Sequence, residues 1–100
     1  MEGASDKSAA QPGLIFFFSG SSGLCRRVES FLAQVLQRRA NHDTFRLYSV
    51  DIEKHPQLAR RFKVGDVPVL CVVEDKTLRA RLDRPRSSRE IEGFLAPWLR

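Results

Sequence analysis

The stretch that decides the fold reads VDIEKHPQLARRFKVGDVPVL and covers residues 50–70. Residues 45–52, at its start, are apolar enough for a strand. Pro56 then suits the first turn of a short helix. Residues 67–73, VPVLCVV, are strongly β-forming. The stretch therefore predicts a strand, a short helix and a second strand, with buried side chains at Val50, Ile52, Leu58, Ala59 and Phe62.

An apolar run and an amphipathic segment precede this stretch. The run from Leu14 to Phe18 is closed by SGSSG at residues 19–23, which is typical of a central strand covered on both faces. In residues 25–39, apolar side chains recur at three- and four-residue steps, which predicts an amphipathic helix. A turn follows at residues 41–43. Because the helix joins two strands by a right-handed crossover, these strands should be parallel.

A hairpin and a last helix follow the stretch. Residues 74–76, EDK, form a turn between the β-forming run and an alternating strand at residues 77–82, so this pair should be antiparallel. Ser87 and Glu90 form a capping box for a final helix, and Pro97 should fray or kink its end. The order is β-α-β-α-β-β-α. The sequence predicts an α/β fold with a central four-stranded mixed sheet.

Length and composition exclude several classes of protein. One hundred residues allow one domain, and no apolar run reaches the ~20 residues of a membrane-spanning helix. The first twelve residues, MEGASDKSAAQP, are small and polar and lack a secretory signal. We expect residues 1–12 to be a disordered tail, residues 13–100 to be the domain, and the protein to be soluble and cytoplasmic.

Charged and metal-ligating residues give weaker indications. Seventeen basic residues against 12 acidic ones give a net charge of +5, which favours acidic partners. The basic residues of segment 76–89 fit either a protected sheet edge or a polyanion site. No aromatic residue interrupts that segment, which argues against nucleic acid. Two cysteines and two distant histidines offer no zinc-ligand spacing, so we expect no metal and no cofactor.

Residues 50–70 and the strand-loop-helix at residues 15–36 together resemble the thioredoxin family. The resemblance covers residues 13–100 and lacks the N-terminal strand and helix of full-length thioredoxins. It implies a cis peptide bond before Pro68, a bond that costs little only before proline. It also implies that the backbone of Val67 pairs with a polypeptide or with glutathione as an added strand.

The active-site segment departs from the family pattern. The family's Trp-Cys-Gly-Pro-Cys aligns with Ser21-Ser22-Gly23-Leu24-Cys25, so a serine replaces the attacking cysteine. A hydroxyl cannot form a mixed disulfide, which excludes the two-cysteine reductase cycle. The buried aspartate of many thioredoxins, six positions earlier, corresponds to Phe16. The family glycine that borders the substrate groove has its nearest counterpart at Asp83.

Three side chains have alternative interpretations. Ser22 fits a helix N-cap, although a hydroxyl near this position binds a thiolate in glutathione transferases. Cys25 lies in the first helical turn, which favours a thiolate, but the family's second cysteine is the less exposed of the two. Cys71 fits a buried core position. The sequence leaves open whether Cys25 and Cys71 form a disulfide.

Three functions fit these observations. The first is a redox-inactive module that binds a protein or peptide in a groove formed by Ser21, Ser22, Gly23, Leu24, Val67 and Pro68. The alternative is a monothiol oxidoreductase or redox-linked protein in cell redox homeostasis, with Cys25 as its catalytic residue and glutathione or a protein as its partner. Binding of a polyanion by residues 76–89 ranks last, because only charge favours it.

Overall fold

A computed structural model describes residues 11–99 of the chain. It confirms the predicted order of strands and helices. The elements are β1 (Gly13–Phe18), α1 (Gly23–Gln37), a 3-10 helix (Arg38–Asp43), β2 (Arg46–Asp51), α2 (Pro56–Arg61), β3 (Val69–Glu74), β4 (Thr77–Asp83) and α3 (Ser88–Leu95).

The four strands form one mixed sheet in the order β2-β1-β3-β4. β1 pairs with β2 in parallel, from Gly13 opposite Arg46 to Phe18 opposite Asp51, as the crossover predicts. β1 and β3 are antiparallel, and so are β3 and β4. The central strand is therefore the apolar run of the sequence, and β4 lies at one edge of the sheet.

Two apolar layers cover the sheet because successive strand residues point to opposite faces. On one face, Leu14 and Phe16 of β1 pack with α1 and α3. On the other face, Phe17 packs with Ala59 of α2 and with Cys71 of β3. This two-sided burial is the reason that β1 is continuously apolar rather than alternating.

Several boundaries differ from the sequence prediction by a few residues. α1 begins at Gly23 rather than Cys25, and the predicted turn at residues 41–43 belongs to the 3-10 helix. Gln11 is attached to the fold, since its side-chain amide donates to the carbonyl of Asp43. The carbonyl of Pro12 accepts from the N–H of Arg46. These two residues are therefore not part of a free tail, and residues 1–10 of the predicted tail lie outside the described residues.

The last helix is capped largely as expected. The Ser87 hydroxyl accepts from the N–H of Glu90 at 3.1 Å. The Glu90 carboxylate accepts from the N–H of Arg86, one residue before the expected capping-box partner. α3 ends at Leu95, before Pro97, and the indole N–H of Trp98 donates to Glu74.

Candidate functional site

The sheet brings two distant segments of the chain to the same end. Phe17 of β1 lies opposite Val69 of β3 in an antiparallel pair. The loop that leaves β1 therefore lies beside the residues that enter β3, Val67 and Pro68. Leu24, in the first turn of α1, packs against the same apolar cluster as Val67. The groove segments predicted from the sequence thus meet at one end of the sheet.

The first of these two segments is the amino-terminal end of α1. The Ser22 hydroxyl accepts from the N–H of Cys25 at 3.2 Å, so Ser22 is the N-cap of α1. Ser19 supports the loop, because its carbonyl accepts from the N–H of Ser22. Its hydroxyl lies 3.1 Å from that of Ser21 and 3.3 Å from the carboxylate of Glu53. The Ser22 hydroxyl, which the sequence resemblance places at the family's nucleophile position, is therefore held in a structural contact.

Cys25 lies behind this helix end and is only 3% exposed. Its Sγ accepts a hydrogen bond from the N–H of Ser19 at 3.5 Å. The thiol lines a cavity of about 230 Å³, together with Phe16, Phe18, Ser19, Gly20, Arg26, Glu29 and Ser49. Phe16, at the position of the family's buried aspartate, is itself buried and leaves no carboxylate there. The cavity is a feature that sequence reasoning missed, because Ser49 reaches it from another strand.

Cys71 is fully buried on the other face of the sheet. Burial in this apolar layer raises the pKa of its thiol from an ordinary value of 9.0 to about 11. Cys25 and Cys71 are both free thiols, and they belong to the apolar layers on opposite faces of the sheet. The question left open by the sequence is therefore answered: the two cysteines are not paired.

The second of these two segments, Val67 and Pro68, enters β3. The peptide bond between Val67 and Pro68 is cis. Pro68 is buried, and its carbonyl accepts from the N–H of Arg84 at 2.8 Å. Within residues 11–99, the backbone N–H and carbonyl of Val67 make no hydrogen bond. They are free to pair with an extended chain.

Arg84 corrects one detail of the sequence analysis. Its φ of 49° lies in the left-handed region that favours glycine, whereas Asp83 is the last residue of β4. Arg84 rather than Asp83 therefore occupies the glycine-like position beside Pro68. An exposed cation, and not a glycine, borders the groove.

The arginines of β4 have structural partners. Arg79 forms an ion pair with Glu74 at 3.3 Å. Arg81 pairs with Asp83 at 2.7 Å, and its guanidinium also donates to the carbonyls of Phe62 and Lys63 at the end of α2. These contacts and the edge position of β4 favour the interpretation of a protected edge over a polyanion site.

Neither a metal site nor a membrane span is found in the described part of the chain. Residues 11–99 contain no group of three or more His, Cys, Asp or Glu side chains arranged to hold a metal ion. No helix within the same range is long and apolar enough to cross a membrane.

Comparison with known proteins gives a family match and many similar folds. Residues 5–97 match the family model described as thioredoxin. The search of curated proteins gave no match. Among solved structures, the Trxlp protein of Edwardsiella tarda has a TM-score of 0.77 at 19% identity, over 94% of this chain and 91% of that one.

Two further solved structures have a fold similar to that of this chain. The germline-specific thioredoxin Deadhead of Drosophila melanogaster has a TM-score of 0.79 at 14% identity, over 98% of this chain and 90% of that one. Thioredoxin-2 of the malaria parasite, described as a component of its protein secretion machinery, has a TM-score of 0.76 at 23% identity, over 87% and 82%. At these identities the likeness shows the fold alone, which is thioredoxin-like.

Proposed function

Because the chain belongs to the thioredoxin family, we propose that it is a redox-inactive module that binds an extended polypeptide in the groove between α1 and Pro68. The observation that carries the proposal is Ser22. It stands where the family has its attacking cysteine, and its hydroxyl caps α1. Thiol-disulfide exchange needs a thiolate at this position, and fold alone does not supply that chemistry.

The walls of the groove suit an extended chain. The unpaired N–H and carbonyl of Val67 can add a strand to the sheet through main-chain hydrogen bonds. A Cβ placed on Gly20 or Gly23 would have no atom within 4 Å, so the loop beside Val67 is open. The exposed Arg84 next to Pro68 favours a partner segment that carries an acidic side chain. The proposed ligand is therefore an extended, acidic peptide.

The test uses peptides selected from a displayed library of random ten-residue segments, titrated into isotope-labelled protein. We expect the amide signals of Val67 and Leu24 to shift on binding. Gly23→Trp should abolish these shifts because the indole fills the open groove. Gly93→Trp is the matched control, since Gly93 also has open space around it but lies in α3. Binding that survives Gly23→Trp would contradict the groove assignment.

A second candidate, monothiol chemistry at Cys25, is favoured by the cavity that this thiol lines. In that reaction the thiolate attacks one sulfur of oxidised glutathione. A protein–glutathione disulfide forms and the other glutathione leaves as a thiolate, so electrons balance.

Alkylation of Cys25 as a function of pH, followed by mass spectrometry in a Cys71→Val variant, decides between the two functions. Rapid labelling with an apparent pKa below ~8.5 would favour monothiol chemistry. Labelling that occurs only after unfolding would leave the binding module.

A further inference from the structure

The two edges of the sheet differ in their protection. β4 carries Lys76, Arg79, Arg81 and Asp83 at or near its outer edge, and its pairing with β3 is irregular between Val72 and Val73. Charges and irregularities of this kind discourage pairing with other strands. The middle of β2 has neither charged side chains nor an irregular register. Its central residues are uncharged, and its register with β1 is regular throughout.

The backbone of β2 is available on its outer side. The N–H groups of Arg46 and Ile52 donate to the carbonyls of Pro12 and Phe18, toward β1. Because residues of a parallel strand alternate in direction, the N–H and carbonyl groups of Leu47 and Ser49 point away from β1, and so does the N–H of Asp51. The carbonyl of Asp51 already accepts from the N–H groups of Lys54 and His55. Within the described range, no strand pairs with this side.

Apolar surface accompanies the open backbone. Leu47 and Tyr48 are 49% and 47% exposed. Beside Tyr48, on the face that carries α2, lies a pocket of about 240 Å³, here called the β2 pocket. It is lined by Ile15, Phe17, Tyr48, Val50, Leu58 and Phe62. Residues 1–10, MEGASDKSAA, contain one large apolar side chain, that of Met1, and so offer little apolar surface to fill the β2 pocket.

We propose that β2 pairs with β2 of a second copy of this chain, antiparallel about a two-fold axis at Ser49. The two four-stranded sheets then form one continuous sheet. Leu47 lies opposite Asp51 of the second copy, and the small Ser49 side chains meet at the axis. Tyr48 lies opposite Val50 of the second copy on the same face. An aromatic residue opposite a β-branched one is a favourable cross-strand pair.

This pairing is compatible with the β2 pocket and with the distribution of charge along the chain. Val50 lines the β2 pocket, so Tyr48 of one copy covers apolar surface of the other. Residues 44–53 contain one basic residue, Arg46, and two acidic ones, Asp51 and Glu53, which gives a local charge of −1. The net charge of +5 is therefore not concentrated where the copies meet.

Sedimentation velocity of the full chain, over a range of protein concentrations, tests the proposal. We expect a monomer–dimer equilibrium. Tyr48→Lys should raise the dissociation constant about tenfold or more, because it removes the cross-strand pair and places like charges near the axis. Leu78→Lys is the matched control, since Leu78 is 46% exposed but lies on β4, and it should leave the dimer unchanged. Circular dichroism verifies that both variants fold.

Hydrogen exchange locates the interface. The amides of Ser49 and Asp51 should gain protection as protein concentration rises, whereas that of Ile52, bonded to Phe18, should be protected at every concentration. A monomer at all concentrations overturns the proposal. So does a chain that dimerises only after removal of residues 1–10, because that result would assign the edge to the chain's own amino-terminal segment. Equal loss of dimer in Tyr48→Lys and Leu78→Lys would also contradict it.

Discussion

At the scale of single residues, Ser22 determines what the amino-terminal end of α1 can do. Its hydroxyl accepts from the N–H of Cys25, and this contact fixes the start of the helix two residues before the predicted position. A cap of this kind stabilises a protein by about 0.5–2 kcal/mol relative to alanine. A thiol at the same position would weaken the cap but would supply the missing nucleophile.

Ser22→Cys should create a redox-active pair with slow turnover. When oxidised glutathione is added as the oxidant, the introduced thiol should form a disulfide with Cys25, releasing two equivalents of reduced glutathione, and dithiothreitol should reduce this disulfide. Insulin reduction with thioredoxin reductase should remain sluggish, because the buried Phe16 offers no proton acceptor. Ser21→Cys, one position away, should not reproduce this pair, since the alignment puts the family's attacking cysteine at position 22. Brisk turnover in Ser22→Cys would show that the proton acceptor is dispensable.

The Cys71 thiol should contribute to the pH dependence of stability. Burial raises its pKa to about 11, so the folded state keeps the proton while the unfolded chain loses it near the ordinary value of 9.0. Stability from this group is complete below pH 9 and should fall as pH rises from 9 to about 11. Urea unfolding at several pH values measures this decline. In Cys71→Val the decline should be shallower, and equal slopes in both proteins would contradict the assignment.

At the scale of elements, one side chain connects β4 to the end of α2. The guanidinium of Arg81 donates to the carbonyls of Phe62 at 2.6 Å and Lys63 at 3.2 Å. These carbonyls follow a helix of only six residues, which has few backbone bonds of its own. Arg81 thus stabilises the segment that leads into Val67 and Pro68, and thereby the second wall of the groove.

Arg81→Met should destabilise the protein by about 1–2 kcal/mol, because two carbonyls lose a charged donor. Arg79→Met is the control. Arg79 has a single ion pair, its side chain is half exposed, and the expected change is below about 1 kcal/mol. Urea unfolding gives both values, and hydrogen exchange should show faster opening of α2 in Arg81→Met only. Similar effects of the two substitutions would mean that Arg81 acts through charge alone.

At the scale of the whole molecule, one sheet separates two apolar layers and places one cysteine in each. Cys25 belongs to the layer under α1 and α3, and Cys71 belongs to the layer under α2. The same sheet ends in two unlike edge strands: β4 carries charged side chains along its length, whereas the middle of β2 is uncharged. The proposed groove between α1 and Pro68, the cavity at Cys25 and the outer side of β2 are therefore separate surfaces of one small domain.

The unmodified protein should not reduce protein disulfides catalytically. Both thiols are at least 97% buried, and the sequence resemblance places a serine, Ser22, at the family's nucleophile position. The measurement is insulin reduction in the presence of thioredoxin reductase, with an active thioredoxin as the positive control. Sustained turnover above the uncatalysed rate would require an exposed thiolate that this fold does not present.

Much of this molecule was predictable from local pattern. The order of the elements, the parallel pairing of β1 and β2, and the caps at Ser22 and Ser87 follow from periodicity and from residues a few positions apart. The sequence also shows directly that residue 22 is a serine and not a cysteine. Such features are encoded within one turn or one strand, so the sequence by itself determined them.

Other features depend on residues that only the fold brings together. The cavity at Cys25 needs Ser49 from β2, the contact of Arg81 joins β4 to the end of α2, and the separation of the two thiols depends on which face each one occupies. Distances across a sheet are set by strand order and register, which local periodicity does not specify. The tertiary structure alone therefore decided how deeply Cys25 is buried, that Arg84 lies beside Pro68, and that β2 is an edge strand of the sheet formed within residues 11–99.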